Sequence, residues 1–304
     1  MPAKRIGIID VGSNSIKLLV AEKGTTEPIN VVRLSIRETR IGEGIAGNPP
    51  AIDEAAIKRG SQAIATLVAE AEEDKVDDLQ ILATSAVRDA ANQEEFIARV
   101  HQESGHTLKV LSGAQEAHYI AQGVYCDKTL ENLKSFFLID LGGGSMECIH
   151  QENDQIKAAR SFQLGAVRLT SKFIRDREQP LARADGGAIA THARSDLENS
   201  VIKPNSPALP IILTGGAARI ISYHFTQEQR ARGVTPAEFK NVSAKICTAN
   251  KEDRIALHRI PPARADVFPA ALQTLETTIS YLQANRIYFT ACNLRFGYAY
   301  TLLS

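Results

Sequence analysis

Short apolar runs suited to strands alternate with amphipathic stretches at helical spacing, and one Asp-containing hairpin motif occurs twice. The chain is therefore read as an α/β protein of two related lobes. The first copy of the motif is Ile6–Ile9, then Asp10-Val11-Gly12-Ser13-Asn14-Ser15, then a second apolar run from Ile16 to Ala21: strand, tight turn, strand. The second copy is Phe136–Ile139 followed by Asp140-Leu141-Gly142-Gly143-Gly144-Ser145. Apolar strand, Asp, Gly and terminal Ser match in register, and the two aspartates stand 130 residues apart, which points to duplication.

The elements between the hairpins follow from periodicity. Asp53 to Glu73 places Ile57, Ile64, Leu67 and Val68 at helical spacing, with Asp53 suited to cap the helix. Leu79–Ala83 reads as a strand, Asn92–His101 as a helix capped by Asn92, Leu108–Leu111 as a short strand and Ala114–Gly123 as a helix. In the second half, Ile211–Leu213 is a strand running through Thr214 into a Gly215-Gly216 turn and a helix. Asp266 to Leu282 is a helix that tolerates Pro269 in its first turn. Ile287–Thr290 closes with a strand and Asn293–Leu303 with a helix. The Pro-, Gly- and polar-rich stretches 177–187 and 199–210 are read as surface connections.

Composition narrows the class. The 304 residues are 44% apolar and 23% charged, a globular composition, and 35 basic against 35 acidic residues give no net charge. A generally basic nucleic-acid binder is excluded; sparse aromatics and absent tryptophan also disfavour a base-stacking groove. Cys126, Cys148, Cys247 and Cys292 show no Cys-x-x-Cys pair and read as reduced thiols. With no apolar leader after Met1 and no run able to span a bilayer, a cytoplasmic location without membrane contact is expected.

The paired turns carry the chemistry. A Gly- and Ser-rich hairpin exposes consecutive backbone N–H groups, and such concavities bind phosphate oxygens. A carboxylate ending the preceding strand can hold Mg²⁺ directly or through water. Neither turn is a Walker A loop, because neither carries Gly-Lys-Ser/Thr. Gly215-Gly216 offers a third turn of the same kind.

These residues resemble the actin-like ATPase superfamily and, within it, the exopolyphosphatase/guanosine pentaphosphate phosphatase (Ppx/GppA) family. The stretches that carry the resemblance are Ile9-Asp-Val-Gly-Ser-Asn-Ser15, Arg40-Ile-Gly-Glu-Gly44, Ala83-Thr-Ser-Ala-Val-Arg-Asp-Ala90, Ser112-Gly-Ala-Gln-Glu-Ala117, Ile139-Asp-Leu-Gly-Gly-Gly-Ser145, Leu164-Gly-Ala-Val-Arg-Leu169 and Thr214-Gly-Gly216. They fall in the family's order along most of the chain. The resemblance implies a two-lobed actin-like (ribonuclease H-like) fold with the active site in the interlobe cleft. It implies lobes at 1–125, rejoined by a last strand and helix at 288–304, and at 126–287. It further implies that Glu116 activates water, that Asp10, Asp140 and Glu147 hold a divalent metal, and that Arg88 contacts phosphate. Gly12, Ser13, Asn14 and Ser15, Gly142, Gly143, Gly144 and Ser145, and Gly215 and Gly216 supply the phosphate loops.

The expected reaction is hydrolysis of the terminal phosphoanhydride of inorganic polyphosphate with Mg²⁺, or Mn²⁺, as cofactor. Two alternatives stay open: a guanosine pentaphosphate 5′-phosphatase, and a non-hydrolytic polyphosphate or nucleotide sensor. A homodimer is also open. The basic residues Lys157, Arg160, Arg168, Lys172, Arg175 and Arg177, and the group Arg254, His258, Arg259 and Arg264, read either as a track for a long polyanion or as solvated faces. Three positions depart from the family pattern: Gln115 and Ala217 stand where an acid and Thr are usual, and Phe296 replaces an acid in Ala291-Cys-Asn-Leu-Arg-Phe-Gly297.

Overall fold

The structure is a computed structural model and describes residues 4–205 and 207–304. Met1, Pro2, Ala3 and Ser206 lie outside the described residues, and with them the start of the chain and one position of the 199–210 connection. The chain divides into two units, one running to Glu131 and including Cys292–Ser304, the other Asn132–Ala291.

The first unit is built on β1 (Arg5–Val11), β2 (Ser15–Lys23), β3 (Ile29–Glu38), β4 (Asp78–Ala83) and β5 (Leu108–Val110), in the order β3-β2-β1-β4-β5. β1 and β2 are the predicted hairpin, antiparallel with Asp10 opposite Lys17; β4 and β5 run parallel to β1. Its helices are α1 (Glu54–Glu73), α2 (Ser85–Arg88), α3 (Gln93–Ser104) and α4 (Gly113–Val124). Asp53 caps α1 by accepting from Ala56 N at 2.7 Å, as its sequence suggests. Asn92 begins α3 without capping it: its side chain instead bridges the backbone N–H and C=O of Ile52. Ile9, Val11, Ile16, Leu18 and Val20 face Ile57, Ile64, Leu67 and Val68 of α1, one apolar layer on one side of the sheet.

The second unit repeats the plan with β6 (Phe136–Leu141), β7 (Met146–Glu152), β8 (Gln155–Phe162), β9 (Ile211–Thr214) and β10 (Ile287–Phe289), ordered β8-β7-β6-β9-β10. Each sheet is thus a three-stranded antiparallel meander continued by two parallel strands, the structural form of the sequence repeat. The helices are α5 (Ala166–Phe173), α6 (Arg183–Glu198), α7 (Gly215–Ser222), α8 (Gln227–Arg232), α9 (Pro236–Cys247), α10 (Lys251–Ala256) and α11 (Phe268–Tyr281). Phe137, Ile139 and Leu141 join Leu272, Leu275 and Ile279 of α11 and Ile189 and Leu197 of α6 in one core.

Three sequence expectations are corrected here. The last strand does not return to the first unit, because β10 pairs in parallel with β9 of the second sheet; only α12 (Leu294–Leu303) returns. Residues 183–187 are not part of a surface connection but open α6, where Gly186 is buried and lies close to Leu181 and Gln273. Thr214-Gly215-Gly216 is a helix start rather than a separate turn. α12 packs on α4 at a close crossing, where a Cβ on Gly297 would overlap the backbone of Tyr119 and Gly123. Buried Arg295 donates to the Leu18 carbonyl at 3.0 Å and ties α12 to β2. Phe296 is buried as well, so this position contributes apolar burial worth about 1.5–3 kcal/mol where an acid would need a charge partner. Among the described residues no helix is long and apolar enough to cross a membrane.

Candidate active site

Because β1, β4 and β5 are parallel, their carboxyl ends share one edge of the first sheet. The segments leaving that edge are Gly12–Asn14, Thr84–Arg88 and Leu111–Glu116. The first is a tight turn closed by Gly12 N–H to the Ser15 carbonyl at 3.3 Å. Its carbonyls are turned outward and fastened: Ser13 O accepts from Gly42 N at 2.8 Å, and Asn14 O accepts from Thr39 N at 3.1 Å and Arg40 N at 2.9 Å. The Arg40–Gly44 motif is therefore a buttress for the turn. Arg40 sits in the left-handed region, φ 50°, and a Cβ on Gly42 would meet Ser13. With the carbonyls held behind, the N–H groups of Ser13 and Asn14 have no acceptor among the described residues. That is the electrostatic pattern of an anion-binding nest.

The Asn14 side chain behaves differently from its backbone. Its Nδ2 donates to Glu38 Oε2 at 2.6 Å, which leaves buried Oδ1 as an unpartnered acceptor. Phosphate oxygens only accept, so a phosphate is met by the Asn14 N–H, and Oδ1 suits a water or another donor. Asp10, 6% exposed, ends β1 next to this turn, with Lys17 Nζ 3.8 Å from its Oδ2.

Arg88 closes α2, and Glu116 lies in the first turn of α4. Ser112 caps α4 with a complete capping box: Gln115 N donates to Ser112 Oγ at 3.2 Å, and Ser112 N donates to Gln115 Oε1 at 3.0 Å. Gln115, an apparent departure, thus performs the box that an acid would. Glu116 is 5% exposed and points inward to Arg88, whose Nη1 donates to Glu116 Oε2 at 2.6 Å and to the Leu111 carbonyl at 3.0 Å. Arg88 also reaches Asp89, Nε to Oδ1 3.7 Å. His118 next in α4 is exposed and stacks edge-on with Tyr119, apart from this cluster.

The second unit repeats the arrangement with different charges. Gly142 N donates to Ser145 O at 3.0 Å; Ala166 N donates to Gly142 O at 3.0 Å, and Val167 N to Gly143 O at 2.8 Å. Arg168 Nε donates to Gly144 O at 2.9 Å. The start of α5 therefore holds every carbonyl of this turn, and the N–H groups of Gly143 and Gly144 have no acceptor among the described residues. A Cβ on Gly165 would overlap the backbone of Gly143 and Gly144, which explains glycine there. Asp140 and Glu147 lie opposite one another across β6 and β7, so both carboxylates share one face of the sheet. They are 9% and 2% exposed, and Ser161 Oγ donates to Glu147 Oε1 at 2.7 Å.

β9 runs parallel to β6 with Thr214 beside Asp140, so Gly215 and Gly216 start α7 at this same edge. Gly215 has φ 90°, and a Cβ there would run into Asp140 Oδ1; a Cβ on Gly216 would run into the Arg264 guanidinium. The third predicted loop is therefore brought onto Asp140, together with Arg264 of the second basic block. That block is also corrected in part: Arg254 is 1% exposed and donates to the carbonyls of Gln179 (2.6 Å), Ala265 (3.2 Å) and Arg177 (3.3 Å). It is a buried strut, unavailable to a polyanion. The Lys157–Arg177 residues are divided between the edge strand β8, α5 and the loop after it, rather than forming one helix face.

Among the described residues no three His, Cys, Asp or Glu side chains cluster as a ready-made metal cage. Two oxygen-only carboxylates on one face nevertheless fit Mg²⁺, which commonly takes one or two carboxylates and completes its shell with waters and phosphate oxygens. The predicted residues thus fall into two sets. The first unit gathers Asp10, Gly12, Ser13, Asn14, Ser15, Arg88 and Glu116; the second gathers Asp140, Gly142–Ser145, Glu147, Gly215 and Gly216. Lys17, Glu38, Arg168 and Arg264 were missed as site residues. Lys17 had a signal: the repeat spacing places it at the position of Glu147, opposite the conserved-in-repeat aspartate.

A model of the Ppx/GppA phosphatase family matches residues 19–304. The guanosine-5′-triphosphate,3′-diphosphate pyrophosphatase of Vibrio vulnificus (strain YJ016) is 24% identical over 299 residues, covering 97% of this chain and 59% of that protein. The protein of the same name from Aeromonas hydrophila subsp. hydrophila is 25% identical over 301 residues, covering 97% and 58%. The chain spans just under three-fifths of the length of these curated relatives. An exopolyphosphatase structure from Cytophaga hutchinsonii aligns with TM-score 0.83 and 22% identity over 99% of this chain and 98% of that one. The Aquifex aeolicus Ppx/GppA family member aligns with TM-score 0.78 and 23% identity, again over 99% and 98%. These similarities show the two-unit α/β fold expected of actin-like proteins.

Proposed function

We propose, from the premise that the chain belongs to the Ppx/GppA phosphatase family, that it hydrolyses the terminal phosphoanhydride of inorganic polyphosphate and releases orthophosphate. The observation that carries this reading is the buried Arg88–Glu116 pair on the sheet edge that also presents the Ser13 and Asn14 amides. A carboxylate hydrogen-bonded to an arginine beside a phosphate nest is placed as a water-activating base would be.

In the proposed reaction the oxygen of water bonds to the terminal phosphorus as the bridging P–O bond breaks. Glu116 takes a proton from that water, and the backbone amides of Ser13 and Asn14 on the same unit receive charge spread over the phosphate oxygens; the Gly143 and Gly144 amides give the second unit a nest of the same kind. Arg88 in the first unit and Arg264 in the second each carry a guanidinium fork suited to phosphate oxygens. Asp140 and Glu147 of the second unit would hold Mg²⁺ or Mn²⁺, and Asp10 is the corresponding carboxylate of the first unit. The ion's contribution is to neutralise phosphate charge, since hard divalent cations prefer such oxygens.

A second reading, cleavage of the 5′-terminal phosphate of guanosine pentaphosphate, is supported by the printed name of the Vibrio and Aeromonas relatives. It uses the same groups on the same bond. Orthophosphate release measured with polyphosphates of graded length, guanosine pentaphosphate and ATP, each with Mg²⁺, separates the readings. Fastest release from polyphosphate supports the first and fastest release from guanosine pentaphosphate the second. Binding without release from any of them would leave a sensor.

A further inference from the structure

The second unit carries a pocket that the proposed reaction does not use. It opens between the far end of α7 and the turn that ends α10, holds about 700 Å³, and is lined by Arg219, Tyr223, His224, His258, Arg259 and Pro261 among others. Among the described residues no side chain lining it is acidic. Arg33, Arg37 and Arg232 each meet a carboxylate elsewhere in the chain. The guanidinium groups of Arg219 and Arg259 have no such partner among the described residues. Arg259 also departs from what its backbone selects. It sits in the left-handed region, φ 54°, in a turn closed by Ile260 N to the Arg254 carbonyl at 2.9 Å. Glycine is the usual residue at such a helix end, so local structure gives no reason for arginine. The His224 and His258 rings lie 6.2 Å apart between centroids. Each follows a helix C-cap, Tyr223 and Leu257, where the carbonyl ends favour a protonated imidazole. Burial nevertheless holds His224 below its ordinary range, the neighbouring His258 adds to this, and a hydrogen bond to the His258 backbone offsets part of it. The charged groups that share the pocket with the two rings are Arg219 from α7 and Arg259 from the turn, and both oppose protonation while no anion is present.

We infer that this pocket is a binding site for a multiply charged phosphate anion, and that His224 and His258 take up protons from solvent when the anion enters. Two planar guanidinium forks suit phosphate oxygens, and imidazole N–H groups add further donors. Two arginines and two ionisable histidines around one pocket call for more negative charge than a single carboxylate brings. The sign of the coupling follows from that charge. An anion stabilises the imidazolium form, so protons bind with it and affinity rises as pH falls through the ordinary imidazole range. α7 begins at Gly215, beside Asp140, and runs eight residues, about 12 Å, towards the pocket. The anion is therefore either the distal part of a chain whose end lies at the Gly215 edge or a separate molecule of the same chemistry. The inference stands apart from the phosphatase reading, because binding here uses neither Glu116 nor the carboxylates proposed to hold the metal.

Imidazole NMR of the full chain tests it, with tripolyphosphate as the probe and no divalent cation present, so that no turnover is needed. Tripolyphosphate is expected to raise the titration midpoints of His224 and His258 and to leave that of the exposed His101 in the first unit unmoved. Read from the His224 and His258 signals, it is expected to bind about tenfold more tightly at pH 6 than at pH 8. Arg259→Gly is expected to keep the parent's melting temperature, since glycine suits a left-handed turn, and to weaken this binding about tenfold. Steady-state kinetics then separate the two sources, each of which agrees with the inference. A rise in KM confined to long polyphosphate in Arg259→Gly identifies the distal part of a substrate chain, and unchanged KM at every length identifies a separate anion. Midpoints of His224 and His258 that do not move with tripolyphosphate overturn the inference. Equal affinity at both pH values, or binding unchanged in Arg259→Gly, also overturns it.

Discussion

Arg88 Nη1 lies 2.6 Å from Glu116 Oε2, so the residue proposed to bind phosphate holds the residue proposed to activate water. The pair is largely buried, and each partner satisfies a charge that would otherwise be costly in that setting. A phosphate arriving at Arg88 competes for the same guanidinium and frees a carboxylate oxygen for water. Arg88→Lys keeps the charge and loses the fork, and Arg88→Ala leaves Glu116 without its partner. We expect Arg88→Lys to raise KM with a smaller loss of kcat, and Arg88→Ala to lower both kcat and stability, read from steady-state kinetics and thermal melts. Equal kinetics for Arg88→Lys and the parent would remove Arg88 from the site.

Gly215 and Gly216 are adjacent glycines with different reasons to be glycine. Gly215 combines φ 90° with Asp140 Oδ1 in the place of a side chain, whereas the obstacle at Gly216 is the end of a flexible arginine. Strained positive φ in a non-glycine residue costs about 1–3 kcal/mol. Gly215→Ala is therefore expected to lower kcat/KM at least tenfold further than Gly216→Ala. Similar kcat/KM for the two would show that Asp140 does not depend on that backbone.

Asp140 and Glu147 are cross-strand neighbours, while the matching pair in the first hairpin is Asp10 and Lys17. One hairpin therefore carries two acids and the other an acid neutralised by a lysine. Mg²⁺ affinity, measured by calorimetry in the absence of substrate, is expected to fall more in Asp140→Asn and Glu147→Gln than in Asp10→Asn. The reverse order would move the cation to the first hairpin.

Buried Arg254 spans three backbone carbonyls, and Arg254→Ala leaves them without donors. Hydrogen bonds to a charged group contribute about 1.5–3 kcal/mol each. Their joint loss is expected to cost several kcal/mol and to lower the melting temperature of the second unit, while Mg²⁺ affinity stays as in the parent. A melting temperature equal to the parent's would return Arg254 to the surface track suggested by its sequence neighbours.

The thiols respond to alkali in a defined direction. Burial pushes Cys126 and Cys247 up to about 12, and full burial pushes Cys148 higher still. The unfolded chain loses these protons from about pH 9, the native chain only near 12, so the native state binds more protons between those values. Stability is therefore expected to fall as pH rises from 9 towards 12, and Cys148→Ala is expected to flatten that fall. Rapid native labelling of Cys148 by a thiol reagent at pH 8 would contradict its burial.

The hairpins were legible because their physics is local. Asp10-x-Gly12 and Asp140-x-Gly142 each pack strand end, turn and carboxylate into six residues, so both turns and the duplication could be read directly. The capping of α1 by Asp53 was legible for the same reason. What stayed hidden depends on long-range pairing. Nothing near Arg264 says that it will lie over Gly216, and nothing near Arg40–Gly44 says that those amides will fasten Ser13 and Asn14, because both contacts are made by folding. Arg254 misled for a related reason: its neighbours are basic, yet its own environment is three carbonyls brought from residues 177, 179 and 265. The edge strand β3 was legible too, since Val32-Arg33-Leu34-Ser35-Ile36-Arg37 alternates apolar with polar residues; what the sequence alone does not show is the bulge near Val32, which depends on pairing with β2.

Hydrolysis of polyphosphate in ¹⁸O-labelled water, followed by mass analysis of both products, tests the proposed chemistry most directly. Attack of a Glu116-activated water on the terminal phosphorus puts one labelled oxygen in each released orthophosphate and none in the shortened chain. Glu116→Gln is expected to slow that release by about 10²–10⁴-fold while polyphosphate still binds. Label in the shortened chain, or undiminished release by Glu116→Gln, would contradict the account.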